Sequence, residues 1–212
     1  MSMKRFPLRS ENSFSKKYRP HEKVYASLEL NQVAFPATGM VVSQMPLGDA
    51  FTIDDPCENG MWVIADQATG TIKAPAAATD KPFGIVYTTE KEYDDNHYGL
   101  QYFGRKIAGD YPRVGILGIS DTVTTNCLQY DDTEFKAVTT GDDQKTAEEA
   151  LFDDLKKDLS VAANAIYVVP VAGSAVPQLT KTKPNSGIYA KVVKFYTMPN
   201  GEPGVKYQII SL

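Results

Sequence analysis

The sequence is poor in the residues that usually carry chemistry. Its 212 residues hold two histidines, two cysteines and one tryptophan. Nucleophilic catalysis needs a nucleophile, a base and a group to orient the base. Only His21 and His97 could supply an imidazole base. His21 lies in a basic leading segment, a poor setting for a preorganised site. His97 sits in Tyr93-Asp94-Asp95-Asn96-His97-Tyr98. Two carboxylates and an imidazole could hold a metal, but the spacing fits no familiar ligand pattern, and a solvated loop is the simpler reading.

Cys57 and Cys127 stand in no CxxC pair and near no histidine. This excludes the usual zinc and thioredoxin-like signatures. One disulfide is compatible with the sequence, yet a chain of this length can bury a core without it, which favours reduced thiols. No apolar run approaches the ~20 residues of a membrane helix. The N-terminus has charge but no apolar stretch of the secretory kind. There is no GxSxG elbow, no GxxxxGK[ST] loop and no GxGxxG after a strand; Gly115 and Gly118 are too close for the last. No acidic stretch has the order of an EF-hand, although a weaker calcium site on a loop stays open. Five adjacent aspartate pairs occur, but two carboxylates work on a glycoside only when set across a cleft, which adjacency does not show. The expectation is a protein with no enzymatic activity, no cofactor and no resident metal.

What the chain has is aromatic residues, short apolar runs and an uneven charge. Twelve Tyr and nine Phe favour strands and adhesive surfaces. In residues 1–23, seven bases (Lys4, Arg5, Arg9, Lys16, Lys17, Arg19 and Lys23) face only Glu11 and Glu22. That segment is therefore +5, and the remainder must carry −9 of the total −4. A cationic segment on an acidic body can reach an acidic neighbour, another copy of the same body included. A disordered terminus and an arm that orders on a partner both fit this composition. Four large apolar residues, Phe6, Leu8, Phe14 and Tyr18, suit the arm. With Arg5, Arg9, Lys16, Lys17 and Arg19 they form the candidate partner-binding set. Aromatics interleaved with bases also occur in single-strand nucleic-acid binders, but an acidic body repels a phosphate backbone, so nucleic acid is disfavoured.

From residue 24 onward, short β-like runs alternate with Gly, Pro and Asp. Residues 61–65 and 71–74 read as a hairpin around a loop ending in Gly70. Residues 75–82 read as a loop and 83–89 as a strand. Residues 113–120 and 122–130 are two more strands, with Gly115 and Gly118 marking a bulge or a close backbone contact. Residues 142–159 hold the one good helix, in which Thr146 and Glu149 fit a capping box before Leu151, Leu155 and Leu159; its body is placed at 146–159. Residues 165–171 read as a strand that Pro170 pushes to an edge, 172–187 as loop, and 187–197 with 205–212 as a terminal hairpin. In the last run Val205, Tyr207 and Ile209 alternate with polar residues, so one face is buried. The fold class expected is mainly β: an antiparallel sandwich or barrel-like domain over 24–212, with one amphipathic helix, behind an extended basic arm at 1–23.

The stretch from 60 to 88, GMWVIADQATGTIKAPAAATDKPFGIVYT, resembles the capsid decoration (cement) proteins of tailed phages. There a phrase of the form G-apolar-V-x-x-D, then G-x-I, A and P-x-G-V/I-V, recurs. The likeness covers about thirty of the 212 residues. It implies a structural virion protein on the outer capsid surface, near three-fold positions, bridging major capsid protein subunits. The implied partners are the major capsid protein and neighbouring copies of the chain, a homotrimer among the arrangements it allows, with no membrane. It also implies a leading arm that orders on the shell. The helix, the terminal hairpin and the overall length exceed the smallest members of that family. Another head or tail component, a carbohydrate-binding or adhesion module, and a small carboxylate hydrolase are the competing readings.

Overall fold

The computed structural model describes residues 3–5, 28, 41–42, 45–80, 83–87, 106–131, 133–135, 144–161, 164–198 and 203–212. The described strands are β1 (Met3–Arg5), β2 (Val41–Val42), β3 (Trp62–Asp66), β4 (Thr71–Lys73), β5 (Phe83–Val86), β6 (Val114–Ile116), β7 (Thr122–Thr125) and β8 (Gln129–Asp131). After helix α1 (Gln144–Ser160) come β9 (Tyr167–Val171), β10 (Ser174–Thr180), β11 (Tyr189–Thr197) and β12 (Pro203–Ser211). The expected class holds: the chain is mainly β, sandwich-like, with one described helix. The division at residue 23, and all of 6–27, lie outside the described residues.

The strands form two sheets. The larger runs β1-β8-β10-β9-β11-β12-β7 and is antiparallel except where β10 meets β8. The smaller runs β2-β6-β5-β3-β4 and is antiparallel throughout. Connectivity forces the larger sheet to curl. β7 and β8 are five strand positions apart, which in a flat sheet is about 24 Å at ~4.8 Å per step. Only residues 126–128 join them, a link that spans roughly 14 Å at full extension. The two ends of the sheet must therefore approach, and a seam runs between β7 and β8.

The smaller sheet is buried on both faces. Trp62 and Ile64 of β3 enter one apolar core, and the alternate Val63 and Ala65 enter a second, as the two-residue period of a strand requires. The larger sheet reaches both. Tyr207 of β12 lies in the first core and Ala175 and Val176 of β10 in the second. At the first face, the Trp62 Nε1–H donates to Tyr207 Oη at 2.9 Å, and Trp62 meets Phe83 edge-on at 6.1 Å.

Four expectations are corrected. Residues 122–130 are not one strand: the Cys127 N–H bonds Thr125 Oγ1 and the Leu128 N–H bonds the Asn126 carbonyl, making a local turn that sends β8 away from β7. Residues 172–187 are not all loop, since β10 occupies seven of them. Pro177, within β10, falls at a register shift in the β9 pairing, where its missing N–H is tolerated. β9 is not an edge strand; β11 pairs it only at Tyr167 and Val168, however, so Pro170 lies beyond that ladder. The helix begins at Gln144, which puts Thr146 inside its first turn and not at its cap. Its packing is as expected: Phe152 and Leu155 are buried, Leu159 lies against the core, and Phe152 meets Phe195 edge-on at 6.2 Å. The terminal hairpin is present as β11 and β12, with Ala190 opposite Ile209 and Val192 opposite Tyr207.

Candidate partner-binding edge

The seam of the larger sheet is where the chain's leading residues arrive. β1 pairs antiparallel with β8, placing Met3 opposite Asp131, Lys4 opposite Tyr130 and Arg5 opposite Gln129. β8 is short because Asp131 ends it. Its carboxylate accepts from the Thr133 N–H and Oγ1, both at 2.8 Å, and these bonds hold it below its usual range. Gln129 ties β8 to β10 by donating from Nε2 to the Val176 carbonyl at 2.7 Å. The strand that receives β1 is thus fixed from its other side.

Arg5 closes the contact. Its Nη2 lies 3.3 Å from Glu58 Oε2 and 3.9 Å from Cys127 Sγ. The Glu58 side chain is 8% exposed and that of Arg5 34%. A carboxylate taken this far from water needs a charged partner, and such a bond contributes on the order of 1–3 kcal/mol. Arg5 Nε finds no acceptor among the described residues.

Glu58 is positioned by a tight turn. The Met61 N–H bonds the Glu58 carbonyl, and the Gly60 N–H bonds the Val86 carbonyl at 2.8 Å. Gly60 has φ of 92°, and a Cβ there would stand 2.5 Å from Thr125 Oγ1 and 2.6 Å from Cys127 Cβ. Only glycine lets this turn press against the link between β7 and β8. Cys57 and Cys127 are both free and wholly buried. Burial pushes the Cys127 thiol up to about 12 against the opposing pull of Arg5, and burial with the nearby Cys127 raises Cys57 well above its ordinary value. These are inert thiols, not nucleophiles.

Of the candidate partner-binding set, the structure places Arg5 alone, and it places it on this chain's own Glu58. Phe6, Leu8, Arg9, Phe14, Lys16, Lys17, Tyr18 and Arg19 lie outside the described residues, as do His21 and the 90–99 segment with His97. Sequence reasoning missed Glu58, Gln129 and Cys127 as the docking surface. The one signal was Glu58 itself, an acid between Cys57 and the apolar run at 61–65. No group of three metal-ligating side chains occurs among the described residues, and none of their helices is long and apolar enough to cross a membrane.

Two exposed apolar groups lie elsewhere. Ile53, Ile107 and Tyr111 stand on neighbouring loops joined by the Ala108 N–H bond to the Phe51 carbonyl. Ile119 stands at a turn bonded to Ile209, close to the exposed Ile210 and Leu212. No family model, no curated protein and no solved structure matches the chain.

Proposed function

We propose that this chain is a structural virion protein that binds the assembled capsid of a tailed phage and stabilises it by bridging major capsid protein subunits on the outer surface. One observation carries the reading. The stretch that resembles decoration proteins, 60–88, contains three strands paired antiparallel in the order β4-β3-β5 in the smaller sheet. The apolar residues of that likeness, Trp62 to Ala65, Ile72, Phe83, Ile85 and Val86, are buried. The cationic leading segment and the exposed Ile53, Tyr111 and Ile119 supply surfaces of the kind a neighbour grips.

The mechanism is physical. A shell under internal pressure fails at subunit boundaries. A ligand that binds only the assembled lattice stabilises it by mass action, and a contact to two subunits at once gains from avidity. The charges of residues 1–23 set register and association rate more than affinity.

The carbohydrate reading loses support, because Trp62 is wholly buried and offers no ring to a sugar. The described aromatic pairs are edge-on, not the coplanar platform that reading wants.

The test is co-sedimentation of the purified chain with expanded, undecorated capsids of the virus that encodes it. The full chain is expected to bind saturably, and deletion of residues 1–23 to weaken binding more than tenfold. A full chain that stays in the supernatant, or that turns over an ester, glycan or phosphate, would overturn the reading.

A further inference from the structure

Far more chain separates Arg5 from Leu28 than the distance between their partner strands requires. Arg5 lies opposite Gln129 on β8, and Leu28 is bridged to Thr125 on β7. Across the seam these points are at most about 24 Å apart: two inter-strand spacings plus the short link between β7 and β8. The covalent path from Arg5 to Leu28 is 23 residues, which reaches roughly 80 Å when extended. The grip at its end is small, with three residues in register and one ion pair at 3.3 Å. Every bond in that grip can form equally between chains, because strand addition uses backbone groups common to all copies. The charge balance favours it: the segment carrying β1 is +5 and the rest of each copy is −9.

We propose that β1 is an exchangeable strand: residues 3–5 of one copy occupy the β8 edge of a second copy, with Arg5 on that copy's Glu58. This deepens the reading of residues 1–23 as a gripping segment by naming a second copy of this chain as what its first strand grips, and it requires no capsid. In dilute solution the intrachain strand competes at an effective concentration on the order of millimolar. Exchange therefore takes over where copies are crowded.

Charge reversal removes that competitor. Arg5→Glu in one chain and Glu58→Arg in another each set like charges at the intrachain dock. Mixed, each chain's strand finds its complement on the other. An equimolar mixture is expected to show, by light scattering after size exclusion, a species of at least twice the mass of either variant alone, against a single-chain mass of 23.3 kDa. The double variant, with both reversals in one chain, is expected to behave as the wild type. A mixture that gains no mass, while both variants keep the native circular dichroism, would overturn the proposal. Should either variant not fold, a fluorescent peptide of residues 1–9 is titrated, through millimolar concentration so that it can compete with the intrachain strand, into the full wild-type chain. It should bind at least tenfold more tightly than its Arg5→Glu counterpart; equal binding, or none, refutes exchange. Capsid co-sedimentation is read separately, so loss of exchange and loss of capsid binding are told apart.

Discussion

Trp62 and Tyr207 join the two sheets at one point. Both are wholly buried, their rings meet at 5.9 Å and 69°, and the indole N–H has the phenol oxygen as its acceptor at 2.9 Å. Tyr207→Phe keeps the ring and removes the acceptor. A buried donor left unpaired costs about 1–3 kcal/mol, so urea unfolding followed by Trp62 fluorescence should show a loss of that size with the slope unchanged. The two thiols give a second residue-scale expectation. With Cys57 and Cys127 at 0% exposure and both raised by burial, Ellman's reagent should leave the native chain unlabelled at pH 8 and titrate two thiols after unfolding. A fast native thiol would contradict the placement of Cys127 under Arg5. That Trp62 is core was legible from its apolar flanks. The role of Glu58 was not, because the residues that meet it, Arg5 and Cys127, are 53 and 69 positions away in sequence.

At the scale of elements, the turn between β6 and β7 is held by two bonds across residues 118–121. The Asp121 N–H reaches the Gly118 carbonyl, and the Gly118 N–H reaches Asp121 Oδ2 at 2.6 Å. Ser120, third in the turn, has φ of 76°, the only positive value at a described non-glycine residue. Type II turns carry glycine there. Ser120→Gly relieves the left-handed strain, on the order of 1–2 kcal/mol, against a backbone entropy loss of up to about 1 kcal/mol. The net expectation is a gain of up to about 1 kcal/mol, read as a higher Tm. The β3–β4 hairpin is one acid-sensitive element. The Lys73 ammonium, 2.8 Å away, and the Ala68 N–H hold Asp66 at about 2 against an ordinary 3.8. As pH falls, the unfolded carboxyl takes its proton first. The pair's contribution is therefore full above about pH 4 and is lost between about pH 4 and 2. Lys73→Met should flatten Tm against pH across that window. The hairpin, the helix and the terminal strands were legible because local pattern sets them. The breaks were not: the split at 126–128 rests on the Cys127 N–H bond to Thr125 Oγ1 and a backbone bond from Leu128 to Asn126, and β10 carries Pro177, whose cost vanishes only at a register shift in its pairing with β9.

For the whole molecule, the topology makes one consequence unavoidable. Two strands three residues apart in sequence stand five places apart in the larger sheet, so that sheet wraps the smaller one, and the chain's first strand is added at the seam. The sequence showed the β class and the charge asymmetry, but not the seam, because strand order depends on pairings that no local pattern encodes. On the proposed reading, this body with its cationic leading segment is held rigidly while its outer surfaces bind. If the proposal holds, its contribution to the capsid is mechanical. The most direct test is the temperature at which packaged DNA escapes from capsids, followed by a DNA-binding dye, with and without saturating amounts of the chain. The account predicts a rise of several degrees that grows with occupancy and is lost on deletion of residues 1–23. An escape temperature that stays the same at full occupancy would contradict it.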